Sequence, residues 1–145
     1  MWVLFVYNAI YMLSNKTPRR NTGDRGENIV CKFLVKQGFV IVERNHWRKW
    51  GEIDIVAKNL KDSIIHFIEV KSGIRDFSRE VALDDSYSPA DNITYEKKKR
   101  FVRIIQTYVL ENKLEECDWQ ADVILAYLDS GSDKYEIEVL EDIDL

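Results

Sequence analysis

The sequence has little of the chemistry that builds disulfide frameworks or zinc sites. It contains two cysteines, Cys31 and Cys117, and two histidines, His46 and His66. Their number and spacing match neither a disulfide-stapled secreted domain nor a zinc-ligand pattern, so both classes are disfavoured. Reduced thiols are typical of a cytoplasmic protein, which is the localisation we expect.

A long uninterrupted apolar run is also lacking. The most apolar stretch, residues 1–13 (MWVLFVYNAIYML), is broken by Asn8 and is shorter than the ~20 residues of a membrane helix. It has neither the basic start nor the cleavage site of a secretory signal. We expect no stable membrane span and interpret residues 1–21 as a non-catalytic apolar extension with a basic linker. A weak membrane-surface anchor and a start at Met12 stay open as alternatives.

The composition predicts one globular domain, residues 22–145. Of the 145 residues, 46% are hydrophobic and 32% charged, and no repeat is visible. A net charge of −4 argues against a nonspecific coat for nucleic acid. Basic residues nevertheless gather at 16–25, 44–49 and 97–103. If these groups share one side of the fold, they form a surface that can face phosphates.

Two β-like runs, residues 52–57 and 64–71, flank a polar turn and predict a hairpin. Regular alternation along the first run places Ile53 and Ile55 on one face of the sheet and Asp54 on the other.

The second run groups its acidic and basic residues on one face. Alternation there places Phe67, Glu69 and Lys71 together. A tight turn about residues 61–62 sets a register in which Asp54 lies opposite Glu69. Two facing carboxylates on an apolar sheet repel each other unless a cation lies between them.

Mg²⁺ suits such a site because it takes one or two carboxylates and keeps several waters. A lysine beside the metal, here Lys71, can orient the attacking water and stabilise charge on phosphate. The plain alternative is a hairpin with an ordinary cross-strand ion pair.

The motifs of this hairpin resemble those of the PD-(D/E)xK nucleases. GEIDIV at 51–56 and FIEVK at 67–71 are most similar to the YraN-like family of predicted bacterial endonucleases, which is related to archaeal Holliday-junction resolvases. That family also has a GE pair in the first helix, matched by Gly26-Glu27, and a later helical lysine, matched by Lys97. The usual proline before the aspartate is replaced by Ile53. The resemblance covers residues 22–127.

The resemblance implies a restriction-endonuclease-like α/β core, a mixed sheet flanked by helices in the order αβββαββ. It implies that Asp54 and Glu69 hold Mg²⁺, for which Mn²⁺ can substitute, with the Val70 carbonyl as a further ligand. Glu27 would bind a second metal or a metal-bound water, and Lys71 would position the nucleophile.

The first helix is predicted to start at Asp24. Glu27 fits the capping-box position three residues later, which is its structural interpretation. Helical spacing also groups Glu27 with Val30 and Leu34 on the core face, where it can serve as a third carboxylate. Gly26 lacks a side chain and so lets this helix approach the hairpin closely.

Basic and aromatic residues before the hairpin predict contacts with nucleic-acid phosphates and unstacked bases. An amphipathic edge strand with cation–π contacts is the alternative, and an exposed polar role is the alternative for the histidine. A second helix, capped by Asn92, adds a lysine at the end of its apolar stripe, which can instead snorkel to solvent. The predicted nucleic-acid-binding residues are Arg44, His46, Arg48, Lys49, Lys97, Lys98 and Arg103.

Three remaining segments carry weaker expectations. Residues 72–91 are predicted to form a loop over the site, with Arg75 and Arg79 as phosphate contacts. Asp122, at the start of a later strand, is expected to be structural. The acidic C-terminal residues are interpreted as a solubilising tail.

We therefore expect a Mg²⁺-dependent endonuclease acting on structured or branched DNA. A non-catalytic nucleic-acid-binding module of the same fold that acts with a partner is the main alternative, and the sequence does not separate DNA from RNA as substrate. A homodimer is a further expectation, because cutting both strands of a junction usually takes two symmetry-related sites.

Overall fold

The computed structural model describes residues 18–78 and 94–145. Within these ranges the elements are α1 (Pro18–Lys36), β1 (Phe39–Arg48), β2 (Gly51–Asn59), β3 (Ile65–Arg75), α2 (Tyr95–Glu111), β4 (Trp119–Asp129) and β5 (Tyr135–Leu140). The predicted order αβββαββ and the α/β fold class are confirmed. Neither α1 nor α2, the helices of these ranges, is long and apolar enough to cross a membrane.

The five strands of the described ranges form one sheet in the order β1-β2-β3-β4-β5. Neighbours are antiparallel except β3 and β4, which run parallel from Ile65 to Arg75. Parallel neighbours need a crossover, and α2 lies in the chain between them. This mixed sheet with helices on it is consistent with a restriction-endonuclease-like core.

Two apolar clusters hold the layers together, one built on each helix. The α2 cluster consists of Ile53, Val56, Ile65, Phe67, Phe101, Ile104, Ile105, Tyr108, Val109 and Ala121. The α1 cluster consists of Val30, Leu34, Ile55, Ala57, Ile68, Ile124 and Ala126. Helical spacing predicts inner faces with Val30 and Leu34 on α1 and with Phe101, Ile104, Ile105 and Tyr108 on α2, and all six side chains are buried. Because each cluster combines helix and sheet residues, the sheet is covered by apolar side chains on both sides.

The start of α1 differs from the prediction. The helix begins at Pro18, so Asp24 lies inside it and does not cap it. Proline is favoured in the first turn because its missing N–H has no intrahelical partner there. The helix therefore also begins before the predicted domain boundary at residue 22.

β1 includes the basic and aromatic residues as far as Arg48 and lies at the edge of the sheet, as the edge-strand alternative predicts. β3 extends further than expected, through residues 72–75, which were predicted to form a loop. The reason is β4, which pairs with β3 over its whole length. Arg79 and Asn92 lie outside the described residues, and α2 is capped by Thr94, whose hydroxyl accepts from Lys97 N at 3.3 Å.

The C-terminal residues are not a free tail. Ile143 N donates to Ala121 O at 2.8 Å, and Asp142 N donates to Asp122 Oδ1 at 2.9 Å. Ile143 also packs against the α2 cluster. The segment is therefore anchored to β4, while Glu141, Asp142 and Asp144 are exposed and their solubilising role stays a prediction.

Candidate active site

The site forms where β2 and β3 separate. The two strands pair from Lys58 and Ile65 to Ile55 and Ile68, which confirms the predicted register. The pairing stops there, one residue short of Asp54 and Glu69, while β3 continues beside β4. The predicted facing residues thus lie at the fork between the two strands.

The sheet changes faces at this fork. Ile53 belongs to the α2 cluster and Ile55 to the α1 cluster, although regular alternation would place both on one side. The expectation of unbroken alternation through Asp54 is therefore wrong. On β1, Asn45 lies between the partners of these two isoleucines and has a φ of 52°. Asparagine tolerates this left-handed conformation, which accounts for the irregularity.

Asp54 takes over a backbone role at the fork. Its Oδ2 accepts a hydrogen bond from Val70 N at 2.7 Å, so a carboxylate replaces the strand partner that β3 has lost. Burial, and next the nearby Glu69, raise the pKa of Asp54 to about 7 against the lowering effect of the Val70 bond. The ionised form of Asp54 is therefore poorly solvated and is repelled by Glu69. A bound cation would stabilise this ionised form.

Glu69 and Lys71 form the opposite wall of the fork. Lys71 Nζ lies 2.7 Å from Glu69 Oε1, and the two side chains are 32% and 28% exposed. Both face a cleft of about 550 Å³ that runs between the sheet and α2. Their predicted position on one face is confirmed.

Glu27 reaches the same region from α1. It is buried, and its Oε1 accepts from Arg44 Nη2 at 2.9 Å, Arg44 Nε at 3.2 Å and Asn45 Nδ2 at 3.0 Å. Glu27 also contributes to the raised pKa of Asp54. A Cβ on Gly26 would lie 2.8 Å from Ser72 Cβ, which confirms that the glycine permits close packing of α1 on β3.

Within residues 18–78 and 94–145, no three His, Cys, Asp or Glu side chains are grouped closely enough to bind a metal together. Two carboxylates and a peptide carbonyl are nevertheless a chemically suitable donor set for Mg²⁺, whose other ligands are usually waters. Asp54, Glu69 and Val70 supply that set. Metal binding by these residues, and by Glu27, stays a prediction.

The predicted phosphate-binding residues divide into two groups. Arg48, Lys49, Lys97 and Lys98 line the cleft. Two of them also have protein partners, because Arg48 Nη2 lies 2.6 Å from Glu111 Oε2 and Lys98 Nζ donates to Asp144 O at 2.9 Å.

The second group lies away from the cleft lining. Arg44 is bound to Glu27, and the Arg103 guanidinium lies over the Trp50 ring at 5.0 Å from its centroid. Arg75, at the end of β3, pairs with Glu136 at 3.3 Å. Arg44 and Arg75 are thereby committed to carboxylates, which leaves them less available to a phosphate.

His46 lies in a different environment from the two that were predicted for it, a phosphate contact and an exposed polar position. It is 5% exposed, its Nδ1 lies 2.8 Å from Glu43 Oε1, and its ring packs edge-on against Tyr108 at 4.8 Å. The exposed polar role is wrong, and a phosphate contact is not supported. The cause is the face change at Asn45, which turns the imidazole towards α2.

A second buried histidine pair stabilises the opposite end of the sheet. His66 Nδ1 lies 2.6 Å from Asp122 Oδ2, and both residues are buried. The other oxygen of Asp122 accepts from Gln120 Nε2 and Asp142 N. These contacts support the structural role predicted for Asp122.

Two contributors to the site were missed from the sequence. Arg100 lines the cleft, and its position three residues after Lys97 in a helix was a usable signal. Asn45, the pivot of the face change and a partner of Glu27, had no signal beyond its residue type.

Comparison with known proteins assigns this chain to a family. The model of the uncharacterised protein family UPF0102 matches residues 26–126, a range that contains the GE pair, the fork and the cleft lysines. The chain belongs to the UPF0102 (YraN-like) family.

UPF0102 relatives match over most of their length. A UPF0102 protein of Helicobacter hepaticus is 41% identical over 95 residues, covering 66% of this chain and 74% of the relative. One from Campylobacter lari is 36% identical over 121 residues, covering 83% and 91%. One from a Sulfurovum species is 34% identical over 124 residues, covering 85% and 93%. The family resemblance seen in the motifs is thus confirmed.

Proposed function

We propose that this UPF0102 protein is a Mg²⁺-dependent endonuclease of the cytoplasm that hydrolyses phosphodiester bonds in structured or branched DNA. One observation carries the proposal. At the fork between β2 and β3, the half-buried Asp54 carboxylate, whose pKa is raised, lies beside a Glu–Lys pair on the wall of a cleft lined by basic residues.

The residues at the fork have complementary roles in this proposal. Asp54, Glu69 and the Val70 carbonyl would hold the metal ion, with Mn²⁺ as a substitute. When bound, the ion would act as a Lewis acid on the phosphate oxygens. The Lys71 ammonium, positioned by Glu69, would orient the attacking water and stabilise the negative charge that develops on phosphate.

Three further groups would assist the reaction. Glu27, fixed by Arg44 and Asn45, would add negative charge beside Asp54 and hold a metal-bound water or second ion. Lys97 and Arg100 of α2 would attract the phosphates of the strand, since cations placed along a cleft position nucleic acid without reading its sequence.

The test is cleavage of a substrate panel: a four-way junction, a flap, linear duplex, single-stranded DNA and RNA. Each is incubated with Mg²⁺, Mn²⁺ or EDTA and with wild type, Asp54→Asn or Asp62→Asn. Asp62 lies in the hairpin turn, where its Oδ1 accepts from Ile64 N, and serves as the matched control. We expect metal-dependent cutting of branched DNA that only Asp54→Asn abolishes. Cutting in EDTA, or by Asp54→Asn at the wild-type rate, would contradict the proposal.

A non-catalytic nucleic-acid-binding module is the second candidate. It is favoured by the Arg44 and Asn45 bonds to Glu27, which satisfy that carboxylate without a metal. In this case wild type and Asp54→Asn would bind branched DNA equally and neither would cut it. Retained binding with no cleavage under any metal condition would therefore select the module.

A further inference from the structure

The tryptophans of the described ranges differ in how much of the ring is covered. Trp50 packs against the α2 cluster beneath Arg103, and Trp119 packs edge-on against Phe67 at 5.7 Å. Trp47 has neither kind of cover and is 66% exposed. A single exposed apolar side chain is ordinary on a protein surface, so the exposure of Trp47 is informative only in combination with its position.

Trp47 is placed where a nucleic-acid strand would pass. It lines the same cleft as Glu69 and Lys71, together with Lys49, Lys97 and Arg100. Those last three side chains are exposed and have no ion pair within the described part of the chain. The cleft thus combines an aromatic surface with cations, the pairing that single-stranded nucleic acid requires.

The backbone that carries Trp47 is fixed. Arg48 Nη1 donates to the Trp47 carbonyl at 2.8 Å, and Arg48 Nη2 reaches Glu111 of α2 at 2.6 Å. This bridge ties the end of β1 to the helix across the cleft. A ring presented from a fixed backbone loses little entropy when a ligand stacks on it.

We propose that Trp47 stacks on an unpaired base of the DNA strand held in the cleft. This rests on the proposed function and deepens it, because it makes unpaired nucleotides beside the cleaved bond part of the substrate. Bases inside a duplex have both faces covered by neighbours, and exposing one requires unstacking it at a cost in free energy. The indole therefore distinguishes a fork or flap from a continuous duplex.

The test is DNA binding in EDTA, where cleavage plays no part. Dissociation constants are measured for a blunt duplex, for a fork with three unpaired nucleotides, and for the same fork with abasic unpaired positions. The proteins are wild type, Trp47→Ala, Trp47→Phe and Tyr135→Ala. Tyr135 is an exposed aromatic residue on β5, outside the cleft, and is the matched control.

We expect Trp47→Ala to weaken fork binding by roughly 5- to 100-fold, as loss of one base–aromatic stack does. Blunt-duplex binding should stay within about twofold. Trp47→Phe should retain most of the affinity, and Tyr135→Ala all of it. Abasic positions should weaken fork binding by wild type. They should not change fork binding by Trp47→Ala, because this variant lacks the indole on which the missing base would stack.

Three results would overturn the inference: equal loss on fork and duplex, equal loss from abasic positions in both proteins, or no wild-type preference for the fork. Melting temperatures of all variants check that the fold is intact. Fork-selective binding through Trp47 without metal-dependent cutting would refute the nuclease and leave this inference standing, so the two failures are distinguishable.

Discussion

The two halves of the β2–β3 pair belong to the same two strands but differ in strand pairing and in the side chains that they carry. In the closed half, residues 55–59 and 64–68, the strands pair in register and most inward side chains are apolar and buried. In the open half, residues 51–54 and 69–75, β2 and β3 no longer pair, and β4 is the neighbour of β3 among the strands of the described ranges.

The difference shows how an apolar sheet accommodates charge. Where β2 leaves, Val70 N–H loses its strand partner and takes the Asp54 carboxylate instead. Buried backbone groups must be satisfied, so the position of Asp54 is set by the same rule that builds the closed half. Glu69 and Lys71 follow the last paired residue of β3 and face the cleft.

The largest expected effect on folding comes from breaking the closed half. Phe67 is fully buried and contacts Tyr108 and Trp119 edge-on. Phe67→Ala should lower the free energy of unfolding by about 3–5 kcal/mol, measured by denaturant titration. Ile74→Ala, in the open half and 58% exposed, is the control and should cost under about 0.5 kcal/mol. Similar losses in both would mean that the halves do not differ as described.

A smaller effect should appear when the open half is titrated without metal. Because the pKa of Asp54 is about 7 in the folded protein and 3.8 ordinarily, the folded state binds the extra proton between these values. The contribution of Asp54 to the free energy of unfolding is therefore greatest below pH ~4 and is lost as the pH rises to about 7. Over this range the free energy of unfolding should change by at most on the order of 1.4 kcal/mol per pH unit.

The measurement is the free energy of unfolding against pH in EDTA, for wild type and Asp54→Asn. The difference between them should fall from pH 4 to 7 and then level. Mg²⁺ at pH 8 should raise the melting temperature of wild type alone, because it binds only the ionised folded site. A flat difference, or equal stabilisation of both proteins by Mg²⁺, would argue against a charged site at the fork.

The smallest effect concerns the contact between α1 and the open half. Gly26→Ala should destabilise the protein by about 1–3 kcal/mol, because the new methyl meets Ser72. Gly23→Ala is the matched control in the same helix. It meets nothing within 4 Å and should stabilise by roughly 0.5–1 kcal/mol. Thermal melting distinguishes the two, and adding Ser72→Gly should restore part of the Gly26→Ala loss. Equal changes at both glycines would show that α1 does not pack closely there.

Much of the closed half was predictable because its forces are local. Alternation of apolar residues and a polar turn set the hairpin and its register, and helical spacing identified the buried faces of α1 and α2. The grouping of Glu69 with Lys71 followed from the same periodicity. Family motifs then singled out Asp54 and Glu27 among the other acidic residues.

What the sequence did not predict depends on contacts between distant segments. The face change at Asn45 and Asp54 arises from three strands at once, and it buried His46 against α2. The extension of β3 needed β4, and the anchoring of Ile143 needed Ala121. The start of α1 was missed because Pro18 was interpreted as part of the basic linker, although proline is also favoured in the first turn of a helix.

A comparison of two lysines tests whether the open half is a catalytic site. Lys71 lies in the open half, whereas Lys58 lies in the closed half and pairs with Ile65. Cleavage rates of a branched DNA with Mg²⁺ are measured for wild type, Lys71→Ala and Lys58→Ala. We expect Lys71→Ala to lose roughly 10²- to 10³-fold in rate and Lys58→Ala to match wild type. Equal cleavage rates for the three proteins would contradict a catalytic role of the open half.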